Sequence, residues 1–209
     1  MASSGGQAGR TTDDSRGRGA ASAGTRDRLL RAAAELIAEL GWGRVTTRAV
    51  ATRAGLPHGS VSYHFRGKQE LLMEAALDAF GREIPVGAFE ALDTVDALLE
   101  LIEAEVGDPD AIDPVVSRLM LEAMREAERE PLLRERMGRM LHEYRESMIR
   151  IVRIDQQRGR VFDGASPTAV ATLLGAVGDG LLLHVLLDRD VDVAGAVDAM
   201  RALLAPRGV

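Results

Sequence analysis

The chain lacks several residue types whose absence limits what it can do. It contains no cysteine, one tryptophan, one lysine (Lys68) and 3% aromatic residues. The missing cysteines exclude disulfides, thiol catalysis and cysteine-ligated zinc. The N-terminus has no apolar core of the signal-peptide kind. The most apolar stretch, 168–187, contains Asp179, His184 and three glycines, so it favours a buried helix over a membrane span. We therefore expect a cytoplasmic protein that does not bind membranes.

The composition is that of a globular protein with one or two domains, with 46% hydrophobic and 28% charged residues among 209. Residues 1–24 are mostly small and polar, which predicts a flexible tail. The remaining chain has apolar residues at the helical period and no strand signal. It predicts an all-α fold of about nine helices, several ended by a glycine such as Gly41, Gly55 or Gly159. The predicted helices are 25–40, 47–54, 58–64, 68–83, 94–106, 114–128, 131–158, 167–187 and 192–204.

Charge is distributed unevenly along the chain. Residues 1–70 carry 11 basic and 6 acidic side chains, whereas residues 71–209 carry 15 basic and 26 acidic ones. Five cations and no anion lie between Arg44 and Lys68. This pattern is expected of a surface that meets phosphates, although a solvated face can have the same charges. The residues between these cations must therefore distinguish a phosphate-binding surface from a solvated one.

The spacing of Ala51, Gly55 and Val61 predicts a helix-turn-helix. Such a unit needs a small residue where two helices cross, a residue that tolerates positive φ at the turn, and an apolar residue on the inner side of the second helix. The second helix would then present the side chains around Val61 to the major groove of duplex DNA. These outer residues are His58, Gly59, Ser60, Ser62, Tyr63 and His64.

Residues Gly41 to Leu72, GWGRVTTRAVATRAGLPHGSVSYHFRGKQELL, closely resemble the DNA-binding signature of the TetR family of transcriptional regulators. The resemblance implies that Thr47 and Arg48 approach the DNA backbone and that Ser60 lies near base edges or phosphate. It also implies that Tyr63, His64 and Lys68 contact phosphates. The sequence departs from the family pattern at Pro57, His58 and Ser62, which leaves the operator sequence undetermined.

The rest of the chain resembles the family in architecture, which implies an N-terminal DNA-binding domain (25–70) after the tail (1–24), and a helical ligand-binding and dimerisation domain (71–209). One module makes too few contacts for tight specific binding, so we expect a homodimer that places two modules about 34 to 36 Å apart on a palindromic operator. The last two helices would form the interface, unless the eighth is a core helix of its own chain. The predicted interface stripe is Ala171, Gly175, Gly178, Leu182 and Val185.

The resemblance further implies a central pocket for a small effector that shifts the fourth helix and so the separation of the two DNA-binding modules. The predicted lining is Met120, Met124, Met140, Tyr144 and His184, in which the methionines suit an irregular, largely apolar ligand. A methionine stripe is also common in a plain core. A ligand-independent dimeric regulator and an activator remain alternatives to a ligand-released repressor.

The sequence gives little support for an enzymatic function. His142 and Glu143 lack the second histidine of a zinc-protease helix, because Glu146 occupies its position. No phosphate-binding glycine loop or nucleophile elbow is present. We expect no catalytic residues, no metal and no cofactor.

Overall fold

The computed structural model describes residues 11–83 and 85–206 and divides the chain into two compact units. Within these residues it contains ten α-helices and no strand, which confirms the predicted all-α class. The N-terminal unit extends to Ala79. It contains α1 (Thr11–Leu40), a 3-10 turn (Trp42–Arg44), α2 (Thr47–Arg53), α3 (Gly59–His64) and most of α4 (Lys68–Glu83).

The C-terminal unit begins at Phe80, so the division falls within α4 and later than the predicted boundary at residue 70. Two of its helices are much longer than the others and pack against each other. Its helices are α5 (Val86–Glu90), α6 (Val95–Val106), α7 (Pro114–Ala127), α8 (Pro131–Gln157), α9 (Pro167–Leu187) and α10 (Val193–Leu204).

Two elements differ from the sequence prediction. α1 begins at Thr11 and not near Thr25. Once a packed segment has nucleated a helix, each added residue costs little, and no proline precedes Pro57 to stop it. The rest of the predicted tail, 1–10, lies outside the described residues. α5 was not predicted, because a five-residue helix after Pro85 is too short to show a helical period.

Glycines end three helices where the sequence predicted them to. Gly41, Gly55 and Gly159 follow α1, α2 and α8 with φ values of 79°, 63° and 68°, a region in which a Cβ is strained. At the start of α2, the Thr46 hydroxyl accepts a hydrogen bond from the Ala49 amide at 3.2 Å. These local signals set the boundaries of the predicted helix-turn-helix.

The core of the N-terminal unit is formed by the inner faces of α1 to α4. Trp42, Val61 and Phe65 are buried in it, as the sequence indicated. The Trp42 indole nitrogen donates to the side-chain oxygen of Gln69 at 3.2 Å. Further buried members are Leu29, Leu30, Ala33, Ile37, Val45, Val50, Ala51, Leu71 and Leu72.

The core of the C-terminal unit contains a buried carboxylate that the sequence did not predict. Asp155 of α8 is 2% exposed, accepts from the Val95 amide at the start of α6 at 2.7 Å, and forms an ion pair with Arg160 at 2.6 Å. Around it pack apolar residues of α6, α8, α9 and α10. Asp155 thereby joins α8 to the N-terminal end of α6.

α9 is the one helix in the described ranges that is long and apolar enough to cross a membrane by length and composition. Only 28% of its most apolar window is buried within the chain, less than the sequence led us to expect. Leu173, Leu183 and Leu187 are exposed on it, as is Leu203 on α10. This apolar surface is therefore not covered within the chain and is available for contact with another molecule.

Candidate nucleic-acid interface and internal cavity

The turn between α2 and α3 is fixed by Gly55 and by an arginine of α1. Gly55 has a φ of 63°, and the Leu56 amide donates back to the Ala51 carbonyl at 2.9 Å. The Arg28 Nη2 atom donates to the carbonyl of Ala54, the residue that follows α2, at 2.6 Å. A Cβ on Gly55 would lie 3.2 Å from that nitrogen. The backbone conformation therefore favours glycine here, and a Cβ would also require the Arg28 side chain to move by a few tenths of an ångström.

α3 buries one side and exposes the other. Val61 is 3% exposed and faces the core, whereas Tyr63 is 80% exposed. His58, Gly59 and Ser62 are also exposed, and Ser60 and His64 are half-buried. A six-residue helix with this arrangement can enter the major groove while Val61 holds it against the unit.

The cations around this helix are not equivalent. Arg53 is placed between two carboxylates of α1, with Nη2 2.7 Å from Glu39 and Nη1 3.1 Å from Glu35. Its hydrogen bonds hold the pKa of Glu39 below the usual value. Arg53 is thus neutralised within the chain, whereas Arg48 and Arg66 are exposed. The basic surface available to DNA is smaller than the count of five cations suggested.

Lys68 stands at the start of α4 and joins it to the turn after α1. Its ammonium donates to the Gly43 carbonyl at 2.8 Å. An ammonium group has three hydrogens, so the bond to Gly43 leaves two for other acceptors. Lys68 is half-buried, as is Thr47 at the start of α2. The structure therefore gives Lys68 a role in positioning α4 that the sequence did not indicate.

The C-terminal unit contains a cavity of about 370 Å³, open to solvent, among α5, α6, α8 and α9. Its walls are mostly aliphatic, with the rings of Phe89 and Tyr144 at 5.3 Å between centroids. Burial, followed by the nearby Glu143 charge, raises the pKa of Tyr144, and burial raises that of Asp179. A cavity of this size and polarity suits a small organic molecule.

Of the predicted ligand residues, only Tyr144 lines this cavity. Met120, Met124 and Met140 do not, and Met124 is 47% exposed because α7 packs beside α8 and away from α9. His184 is exposed near the end of α9. These four residues therefore lie outside this cavity, because periodicity gave the apolar face of each helix without showing which faces meet around the cavity.

The predicted dimer stripe lies on the inner side of α9. Ala171, Gly175, Gly178 and Leu182 line the cavity, and Val185 is 3% exposed in the core. The small residues permit close approach, but within this chain: a Cβ on Gly175 would lie 3.3 Å from Met148 of α8. Within this chain these five residues thus face the cavity or the core, whereas the exposed leucines of α9 lie on its other side.

Sequence reasoning missed three residues that organise these sites: Arg28, Phe89 and Asp179. The contact of Arg28 with Ala54 joins residues distant in the chain, and nothing local predicts it. Asp179 was visible as a lone carboxylate in an apolar helix, which is a signal of a functional group. Across residues 11–83 and 85–206, no group of three or more His, Asp or Glu side chains is arranged to hold a metal ion.

Comparison with known proteins agrees with this geometry. Residues 29–75 match the model of the bacterial regulatory proteins of the tetR family, and residues 95–207 match that of the BetI-type transcriptional repressor C-terminal domain. The chain is 26% identical over 175 residues to the HTH-type transcriptional repressor Rv1474c of Mycobacterium tuberculosis, a match that covers 84% of this chain and 89% of that protein.

Two solved structures are similar over most of their length. SCO7518 of Streptomyces coelicolor A3(2), described as a transcriptional regulator, is 29% identical with a TM-score of 0.66 over 86% of this chain and 98% of its own. A protein of Saccharomonospora viridis, described likewise and crystallised with choline, is 24% identical with a TM-score of 0.70 over 88% of this chain and 100% of its own.

Proposed function

The chain belongs to the tetR family of bacterial regulatory proteins, and from this premise we propose that it represses transcription as a homodimer bound to a palindromic operator. A small effector held in the C-terminal cavity releases the DNA. The observation that carries the proposal is the division of α3 into a buried side, at Val61, and an exposed side, at Tyr63. The protein then acts in the cytoplasm, where the operator is.

The DNA contacts follow from the exposure of side chains around α3. Ser60 and His58 lie at its N-terminal end, where a recognition helix approaches base edges. Arg48, Thr47, Tyr63, His64 and Lys68 contact phosphates, and Gly59 and Ser62 lie on the same outer side. The Ser62 hydroxyl donates to the Gly59 carbonyl at 3.0 Å and keeps its lone pairs free to accept.

The dimer surface is the outer side of α9 with part of α10. Leu173, Leu183 and Leu187 are 51%, 49% and 82% exposed, and Leu203 is 70% exposed. Exposed apolar residues of this number on two helices are typical of a contact with another chain. A symmetric dimer makes the same surface serve both protomers.

The effector acts through α4, which is continuous from one unit into the other. The family resemblance implies that an effector shifts this helix, and the bond from Lys68 to the Gly43 carbonyl links its start to the turn after α1. A coupling of about 1 to 3 kcal/mol lowers operator affinity by 5- to 150-fold. The choline-bound structure of the Saccharomonospora viridis protein supports a small-molecule effector.

The proposal is tested by selection of duplexes from a randomised pool with the full-length protein. We expect enrichment of an inverted repeat, with base preference altered by Ser60→Ala and by His58→Ala. The matched control is Arg31→Ala, an exposed residue of α1 away from the turn. A pool that stays random at low salt would contradict the proposal.

A further inference from the structure

Three consecutive aromatic rings lie against one another at the C-terminal end of α3. The ring centroids of Tyr63 and His64 are 4.9 Å apart in an edge-to-face arrangement, and those of His64 and Phe65 are 6.3 Å apart. Tyr63 is exposed, whereas Phe65 is buried. The row of rings therefore runs from the outer side of the N-terminal unit into its core.

A cation of α1 lies over the buried end of this row. The Arg26 Cζ atom is 5.5 Å from the centroid of the Phe65 ring, a distance at which the ring face attracts a guanidinium. The amide of Phe65 donates to the Val61 carbonyl at 2.8 Å, which makes Phe65 the residue at which α3 ends. Arg26 thus contacts the C-terminal end of the exposed helix.

The same guanidinium is bonded to α4. Its Nη2 atom lies 2.6 Å from Oε2 of Glu74, and the side chains of Arg26 and Glu74 are 40% and 25% exposed. Salt screens a partly buried ion pair less than a fully exposed one. Because a guanidinium is planar, it can donate in its own plane while it lies over a ring, which an ammonium group cannot do. Arg26 therefore joins α4 to the end of α3 through one rigid group.

We propose that Arg26 is a positioning residue for DNA recognition, and that its pairing with Glu74 fixes the end of α3 relative to α4. The rings from Phe65 to Tyr63 then keep the orientation in which the outer ones meet phosphates. This rests on the proposed DNA-binding function of α3. Because Glu74 balances the charge of Arg26, the effect of Arg26 on DNA binding is exerted through α3 and not through a phosphate contact of its own.

A positioning role and a phosphate contact of Arg26 predict opposite effects of Glu74→Gln. If Arg26 contacted a phosphate, loss of the Glu74 charge would tighten binding to every duplex. The positioning role instead predicts a lower ratio of the affinity for the selected duplex to that for a scrambled one. We expect this ratio to fall at least about fivefold, because a displaced α3 loses its base contacts. Fluorescence anisotropy with the full-length protein measures both affinities, and tighter binding or an unchanged ratio would overturn the proposal.

Arg26→Met removes the same contact from the other side. We expect a similar fall in the ratio, with an unchanged slope of log affinity against log salt for the scrambled duplex. The double variant of Arg26→Met and Glu74→Gln should lower the ratio no further than either single variant. A slope smaller by about 1, or additive effects of the two variants, would contradict the positioning role. Arg31→Met, at an exposed position of α1, is the matched control and should leave the ratio unchanged.

Hydrogen–deuterium exchange without DNA separates this inference from the proposed function. In the full-length protein, Arg26→Met and Glu74→Gln should each speed exchange in residues 59–65 at least about threefold and leave exchange in α2 unchanged. Unchanged exchange in α3, or equal acceleration throughout the N-terminal unit, would refute the role of Arg26. If the parent protein selects no duplex, the regulatory proposal fails, while the exchange rates still decide whether Arg26 positions α3.

Discussion

The guanidinium of Arg28 on α1 donates to the carbonyl of Ala54 at 2.6 Å, at the point where α2 ends and the turn to α3 begins. The last carbonyls of a helix have no partner within it, and a cation at that end also meets the negative pole of the helix dipole. Arg28 therefore links α1 to the turn between α2 and α3.

Replacement of Arg28 by methionine removes this bond while keeping much of the apolar stem. We expect Arg28→Met to lower the free energy of unfolding by about 1 to 2 kcal/mol, since a charged donor bonded to a carbonyl contributes about that much. Urea denaturation measures this change in the free energy of unfolding. Arg31→Met, at an exposed position of the same helix, should change stability by less than about 0.5 kcal/mol. Equal effects of the two variants would contradict the role of Arg28.

Gly55→Ala tests the turn itself. A left-handed conformation costs a residue with a Cβ about 1 to 2 kcal/mol, and here the Cβ also comes 3.2 Å from Arg28 Nη2. We expect a loss of stability of at least this size, together with weaker DNA binding. Gly59→Ala is the matched control, because a Cβ there meets nothing within 4 Å, and it should leave stability unchanged or raised. A stable Gly55→Ala protein would show that the turn is not as described.

The helix boundaries were predictable because their signals are local. Gly41, Gly55 and Gly159 have positive φ where the sequence placed helix ends, and the predicted bounds of α4 and α9 are those observed. The cavity was not predictable in the same way. Each helix shows its apolar face in the sequence, but which faces meet depends on contacts between residues far apart in the chain.

Asp155 is an example of a contact that the sequence does not predict, and it gives a third testable prediction. Its bond to the Val95 amide joins residues 60 positions apart, and no periodic pattern contains it. Asp155→Ala leaves this amide and Arg160 without their partner, so we expect a loss of about 3 kcal/mol in thermal or urea unfolding. Arg160 is 46% exposed and can turn to water, which limits the loss. Asp163→Ala, at an exposed site nearby, should be close to neutral, and a similar loss there would contradict this account.

Asp179→Asn should stabilise the protein in a pH-dependent way. Because burial raises the pKa of Asp179 in the folded chain, the unfolded chain releases this proton at a lower pH than the folded one. The carboxyl therefore costs no stability below its unfolded pKa of about 3.9 and lowers stability as the pH rises above it. We expect the variant to melt at a higher temperature than the parent at pH 7, with the difference vanishing near pH 3. A lower melting temperature at pH 7 would mean that the carboxylate has a partner within the protein.

Substitutions of Tyr63 and Lys68 distinguish an uncharged phosphate contact from a charged one. Lys68→Met should weaken binding to every duplex by a similar factor and lower the slope of log affinity against log salt by about 1, because a lost cation releases one counterion fewer. Tyr63→Phe should weaken binding uniformly with an unchanged slope and unchanged stability, since the side chain is 80% exposed and its hydroxyl is uncharged. Titrations of fluorescence anisotropy at several salt concentrations measure both. A change in base preference by either variant would contradict the assignment to phosphate.

The central claim is that two copies of α3 read one duplex from the same face. Hydroxyl-radical footprinting of the full-length protein on its selected duplex tests it most directly. We predict two protected patches whose centres are about 34 to 36 Å apart, one helical turn of DNA, with twofold symmetry between them. A single patch, or uniform cleavage at protein concentrations that saturate the duplex, would contradict the claim.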